Sequence, residues 1–341
     1  MNYIGSKRKL LDWIFSHISH HATRLGLDPH ATFLDGCTGT GSVAVRAARE
    51  GFQVVANDLM GFPRHLVIGR AGLPQEKQEK AFALVQDAAQ LPLVDGFFHA
   101  TYSPAGGRMF FTKTNARRID AARQFIREVD DSEIQSYLYY CLLEATSKVS
   151  NTAGTHGAFL KQWTGEASSP LQLVPCPSQS LGAKAQQGDV LDVVGQGEVI
   201  LYLDPPYNSR QYTPNYHLYD ALVQADDPVV KGKTGLPQDY VRSDFCKAES
   251  IVGDLVQAIL AKTTARLVLI SYSSDGTMPL DTMLTQMMKG FGHRSVELQV
   301  REYARYRSAA QDTQWVLSEA YLREYLFIVE RDDDGVLSLF A

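Results

Sequence analysis

Two short segments of this 341-residue chain combine residue types that could do chemistry. The first is Phe33-Leu34-Asp35-Gly36-Cys37-Thr38-Gly39-Thr40-Gly41. Its glycines let the backbone turn tightly and approach a ligand closely, and a helix starting just after it would present free N–H groups. A nucleotide-like ligand is implied. Gly39, Gly41 and Ala44 also satisfy G-x-G-x-x-A, with Asp58 seventeen residues past Gly41, so a dinucleotide-binding enzyme fits the spacing too. Asp35 tilts the balance. Inside the turn a carboxylate repels a pyrophosphate, yet accepts hydrogen bonds from the ammonium of the methionine part of S-adenosylmethionine. Asp58 can hold the ribose hydroxyls of either cofactor and does not discriminate.

The second segment is Leu201-Tyr202-Leu203-Asp204-Pro205-Pro206-Tyr207, an apolar run that stops on a rigid polar loop. Two prolines remove two backbone donors and fix two φ angles. What remains is acceptors, the Asp204 carboxylate and the Pro205 carbonyl, and these suit an amine. Two acceptors can draw density onto an adenine amino nitrogen and aim it at an electrophilic methyl. Tyr207 would offer an aromatic face to a base taken out of the duplex. Arg210, Gln211, Tyr212 and Asn215 follow closely and could flank that base, whereas His217 fits a packing role, since this chemistry needs no histidine.

Other candidates are weaker. His17 and His21 are four residues apart, with His20 beside them, but no third ligand follows nearby, so no metal is expected and a surface helix accounts for them. Cys37, Cys141, Cys176 and Cys246 show no CxxC pairing and fit reduced thiols. The net charge of −5 argues weakly against nucleic acid. Its distribution argues the other way. From Thr101 to Arg127 the one acid is Asp120, against Arg108, Lys113, Arg117, Arg118, Arg123 and Arg127. Arg301-Glu302-Tyr303-Ala304-Arg305-Tyr306-Arg307 alternates cations with aromatics, a mixture able to grip phosphates and stack on bases. A solvated helix face and a solvated edge strand are the plain alternatives.

Several elements must position these groups. Leu10, Trp13, Ile14 and Ile18 recur at helical spacing in the first residues. Strands are expected at Thr32 to Leu34 and Gln53 to Ala56, around a helix from Ser42 to Arg49, which is enough chain for a right-handed parallel crossover. Val199 to Leu203 and Leu267 to Ser271 are apolar throughout, as in a sheet covered on both faces. Ser295 to Val300 and Tyr325 to Val329 could pair antiparallel at one edge. Between Gly61 and Gln187 helical patterns dominate, at Gln75 to Ala89, Ala116 to Val129 and Ser132 to Val149, and Pro170 to Gly182 has the composition of a linker. The expected fold is therefore α/β and Rossmann-like, with residues 1–60 and 188–341 forming the catalytic domain and 61–187 a mostly helical insertion.

In their order along the chain these residues resemble the Dam-like adenine-specific DNA methyltransferases of restriction-modification systems. Tyr3-Ile4-Gly5-Ser6-Lys7 looks like their N-terminal cofactor motif, Asp35 to Gly41 like their first motif, Asp58 like their acidic ribose position and Asp204-Pro205-Pro206-Tyr207 like their catalytic motif. Asp189 matches the position that in relatives contacts the cofactor's adenine. The stretch from Ser150 to Lys161 is similar to one that lies near DNA in the methylase partners of restriction systems. The resemblance implies a site-specific, adenine-specific DNA methyltransferase that uses S-adenosylmethionine and releases S-adenosylhomocysteine. Its inserted domain would read double-stranded DNA, with Lys113, Arg117, Arg118, Lys161, Arg210, Tyr212, Arg305 and Arg307 as the DNA-facing candidates. A bacterial or phage origin and a cognate restriction endonuclease are implied too. Cys37-Thr38 departs from the usual aromatic or proline positions of the first motif.

With 45% hydrophobic and 21% charged residues the composition is that of a globular enzyme. No run of eighteen apolar residues occurs and no signal-peptide core follows Met1, so a cytoplasmic protein without membrane contact is expected. Monomer and homodimer both stay open, as does the DNA sequence read. The rivals are RNA adenine methylation, cytosine-N4 methylation, a DNA-binding protein without turnover and a nicotinamide-dependent dehydrogenase.

Overall fold

The computed structural model describes residues 3–206, 208–209, 211–290, 296–304 and 321–331. Along the chain run α1 (Leu11–Arg24), β1 (Thr32–Asp35), α2 (Ser42–Arg49), β2 (Gln53–Asp58), α3 (Phe62–Val67), α4 (Gln75–Gln90), α5 (Phe97–Tyr102), α6 (Lys113–Arg127), α7 (Ser132–Lys148) and α8 (Gly165–Ser168). After these come β3 (Lys184–Gln187), α9 (Val190–Val193), β4 (Ile200–Leu203), α10 (Thr213–Val223), the short hairpin of β5 (Val230–Lys231) and β6 (Leu236–Pro237), α11 (Glu249–Lys262), β7 (Leu267–Ser273), α12 (Leu280–Gly290), β8 (Glu297–Ala304) and β9 (Tyr321–Glu330). They gather into two compact units. One holds the described parts of Met1–Gly5, Met60–Ala185 and Tyr212–Val241; the other holds those of Ser6–Leu59, Gln186–Gln211 and Arg242–Ala341.

The second unit is built on a seven-stranded sheet in the order β3-β2-β1-β4-β7-β9-β8. β1 runs parallel to β2 and β4, β4 parallel to β7, and the reversed β9 pairs antiparallel with both β7 and β8. The expected edge pair is therefore present. Consecutive strand residues point to opposite faces. Phe33 meets Phe15 of α1 on one side, with ring centroids 6.4 Å apart, while Leu34 joins Val252, Val256 and Ile259 of α11 on the other. Every residue of β4 and β7 is buried, which explains why neither strand alternates in hydropathy. Each such side chain contributes roughly 1.5–3 kcal/mol by leaving water. The fold is thus the α/β Rossmann-like arrangement expected, and the sequence pattern missed β3 as a strand.

The first unit is mainly helical, around Phe98, Tyr102, Phe110, Phe111, Tyr137 and Leu142. Side-chain caps set its helix starts: Thr112 accepts from Asn115 N–H for α6, and Asp131 from the Glu133 and Ile134 N–H groups for α7. Asp120, the lone acid of the basic window, is buried and accepts from the backbone N–H groups of Gly96, Phe98 and His99, closing the start of α5. Asp220 likewise accepts from Gly61 and Phe62 N–H ahead of α3.

Two sequence expectations change here. Residues 170–182 are not a loose linker, because Leu171 and Leu173 are buried and the Gln179 and Leu181 N–H groups donate to the Arg70 and Ala71 carbonyls. Residues 212–241, placed by sequence within the catalytic domain of 188–341, group with the helices, since α10 buries Tyr216, Leu218, Tyr219 and Leu222 in the helical core. No helix of the described residues is long and apolar enough to cross a membrane.

Candidate active site

The glycine loop and the Asp-Pro-Pro loop leave the same edge of the sheet from neighbouring strands. In the β1–β4 pair Asp35 stands opposite Tyr202, and the Gly36 N–H donates to the Tyr202 carbonyl at 2.9 Å. Two residues beyond Tyr202 is Asp204. The closeness explains Gly36, because a Cβ there would lie 2.6 Å from Leu203 Cδ2 and 3.0 Å from Val190 Cγ2. Gly39 and Gly41 take left-handed φ values of 52° and 73°, which L side chains rarely adopt, and so turn the chain into α2. Asn57, which sequence analysis had passed over, holds the frame: its buried Nδ2 donates to the carbonyls of Gly36 and Gly188.

Four carboxylates surround this turn. Asp35 Oδ2 accepts from Thr38 Oγ1 and from the Ala44 N–H, tying the loop to the first turn of α2, while buried Oδ1 has no hydrogen-bond partner. Burial, opposed by those bonds and reinforced by Asp204 and Asp58, pushes the Asp35 carboxyl up to about 7. Asp58 Oδ2 accepts from Gly39 N–H at 2.8 Å. Asp189 is exposed and caps α9 through the Leu191 N–H. Burial raises the Cys37 thiol, and Asp58, Asp35, Asp204 and Asp189 all add to the rise, so all four acids act on one spot. Such a cradle attracts a cation and repels a pyrophosphate. These acceptors are of the type that fits a sulfonium with an ammonium tail, and Asp35 Oδ1 has room in its hydrogen bonding for one more donor.

Asp204 is paired below the loop. The buried Lys7 Nζ lies 2.9 Å from Asp204 Oδ1 and 3.0 Å from Glu324 Oε1 on β9. Burial raises both carboxyls, that of Glu324 to about 7, and the Lys7 ammonium opposes the rise in each. Tyr202 shares a hydrogen bond with Ser271 of β7 at 2.7 Å. Glu324 was not singled out from sequence, although an acid inside Tyr321–Glu330, whose residues 326–329 are all apolar and buried, is the signal that could have found it.

The other expected residues make contacts within their own unit. Tyr3 stacks on Tyr216 with centroids 4.3 Å apart, Ile4 N–H donates to Tyr216 Oη, Gly5 has φ 78°, and Tyr212 packs beside Tyr3, all within the helical unit. Arg117 is ion-paired with Asp95, and Arg118 donates to the Leu91 carbonyl. Arg123 and Arg127 meet Asp227, and Arg108 donates to the carbonyls of Thr101, Gly106, Gly232 and Lys233. The basic window is therefore largely committed to internal contacts, with Lys113 and Lys161 exposed. His156 is buried, its N–H on the Asn215 carbonyl, and Asn151 ties its stretch to the Met109 and Leu160 carbonyls. His217 sits between the Pro214 and Thr234 carbonyls, in keeping with packing. Tyr207, Arg210, Arg305 and Arg307 lie outside the described residues.

Residues 3–285 match the family described as D12 class N6 adenine-specific DNA methyltransferase. The chain belongs to that family. It is 34% identical over 342 residues to the type II methyltransferase M.NlaIII of Neisseria lactamica, covering 97% of this chain and 99% of the relative. It is 30% identical to the type II methyltransferase M.CviAII of Paramecium bursaria Chlorella virus 1, across 90% of this chain and 93% of the relative. To M.FokI of Planomicrobium okeanokoites it is 32% identical over 97% of its own length and 53% of that protein. As a D12 class enzyme it methylates adenine N6 in DNA with S-adenosylmethionine as donor. The RNA, cytosine, dehydrogenase and non-catalytic alternatives fall away.

Proposed function

We propose that this enzyme is a site-specific methyltransferase of double-stranded DNA that works on an adenine turned out of the helix, in a restriction-modification setting with a cognate endonuclease. S-Adenosylmethionine supplies an electrophilic methyl on a positively charged sulfonium. Asp35 accepts from its ammonium, Asp58 from its ribose and Asp189 from its adenine, with the backbone of Gly36, Cys37, Thr38, Gly39 and Gly41 as the wall. Asp204 and the Pro205 carbonyl receive the two N–H bonds of the target amine and orient its nitrogen. Bound in this cradle, the cofactor would supply the methyl group, while Asp204 and the Pro205 carbonyl would hold the amine as its surplus proton passes to solvent water. Lys7 favours the ionised form of Asp204 against the effect of burial, and only an ionised carboxylate offers acceptors alone. Pro206 stiffens the loop, Tyr207 stacks on the base, and the helical unit reads the sequence, using Lys113 and Lys161.

The observation that carries this proposal is the pairing of Asp35 with Tyr202, which sets the two loops side by side on adjacent strand ends. Asp204→Ala tests it with labelled cofactor and plasmid DNA. Lys7 keeps Glu324 as partner in the variant, so the fold should persist. Methyl transfer is expected to fall by at least about 10²–10³-fold, with cofactor affinity within a few fold of wild type. Retained turnover would remove Asp204 from the mechanism.

A further inference from the structure

His17 and His21 stand one helical turn apart on the same face of α1. The third group that the local sequence does not provide comes from β8. Glu297 offers its Oε1 to the same spot, and one ligand atom from each of the three lies within 4.8 Å of the others. Sheet register explains the meeting. Glu297 is opposite Ile328, and Glu330 lies two residues further along β9, so Glu297 and Glu330 point to the same face.

His21 is oriented for ligation. Its ring is 1% exposed, and Nδ1 is 2.5 Å from Glu330 Oε1, a carboxylate also held by Arg24 at 2.6 Å. With Nδ1–H donating to that carboxylate, the lone pair is left on Nε2, the arrangement in which a carboxylate fixes the tautomer of a metal-binding histidine. Buried Nε2 has no hydrogen-bond partner. It is 3.6 Å from Glu297 Oε1, which also accepts from Gln299 Nε2 at 2.9 Å. That is too long for a charge-assisted hydrogen bond, which runs about 2.7–2.9 Å. It is close to the separation of about 3.4 Å between two ligands of a tetrahedral ion with bonds near 2.0–2.1 Å. Arg24 balances Glu330, so Glu297 is left as the anionic ligand beside two imidazoles.

We propose that His17, His21 and Glu297 bind one divalent transition-metal ion of the zinc class, with water as fourth ligand, as a brace between α1 and β8. Two imidazoles and one carboxylate suit zinc and disfavour magnesium, which takes oxygen ligands and keeps its waters.

Full-length enzyme stripped with chelator is titrated with Zn(II) against a chromogenic chelator, with Mg(II) as control, and its melting midpoint is followed. Wild type is expected to take up one equivalent of Zn(II) and to melt higher with it. His17→Ala and Glu297→Gln should each weaken binding at least tenfold and abolish the rise in midpoint, while His20→Ala should change neither. Both informative variants replace partly exposed groups, leave buried His21 in place, and should retain methyl transfer. Absence of stoichiometric Zn(II) in wild type overturns the proposal. So does equally tight binding in His17→Ala and Glu297→Gln, which would place the ion elsewhere in the protein.

Discussion

Asp35 has one oxygen committed to Thr38 and Ala44 and one oxygen unsatisfied. An ammonium ligand requires the ionised carboxylate, whereas burial has lifted this carboxyl to about 7. Below that pH a proton must leave before the ligand binds. Calorimetric affinity for S-adenosylhomocysteine should therefore fall toward tenfold per unit as pH drops below about 7. Asp35→Asn should flatten the acid limb, and an unchanged limb would place the titration elsewhere. Lys7 gives a second expectation. Lys7→Met leaves Asp204 and Glu324 facing each other without a cation, at a cost of about 3–5 kcal/mol. Adding Glu324→Gln should restore most of that stability in denaturant melts without restoring turnover.

Among the elements, α5 depends on a residue from another helix. Asp120→Ala strips three N–H groups at its start of their acceptor and should lower stability by about 2 kcal/mol, at the upper end for a lost cap. Cofactor affinity should be unchanged, because the cap belongs to the helical unit. An altered affinity would show that α5 influences the glycine loop. The same aspartate marks the limit of what sequence could tell. From Thr101 to Arg127 the charges looked like a DNA-facing surface, yet Arg108, Arg118 and Arg123 go to backbone carbonyls whose positions only the fold reveals. By contrast the glycine turn, the apolar strand and the Asp-Pro-Pro loop are local patterns, and they were legible. Asn57 and Glu324 were not, because each works through partners distant in sequence.

Across the whole molecule the two units should respond to pH in opposite directions. In the helical unit burial depresses His156 and His217, and His65 to about 3. A histidine held neutral contributes stability that is complete above its unfolded value near 6.5 and is lost as pH falls. By pH 5 that amounts to about 2 kcal/mol for a group like His65. In the sheet unit Asp35 and Glu324 have raised values, so their contribution is complete below about 4 and is lost as pH rises through about 7. Hydrogen exchange on the free enzyme, corrected for intrinsic rates, should show the helices opening first at pH 5 and the sheet loosening toward pH 8. Uniform behaviour would mean that other charges dominate both units.

The reversed strand β9 has one more consequence, for biosynthesis. Lys7 precedes α1 and its counter-charge Glu324 sits on β9, so a ribosome must emit the more than three hundred residues between them before the ammonium can be neutralised from both sides. Contacts this remote in sequence close late. A nascent chain halted before β9 would display its glycine turn yet lack a settled Asp204, so the ability to mark DNA waits for that strand.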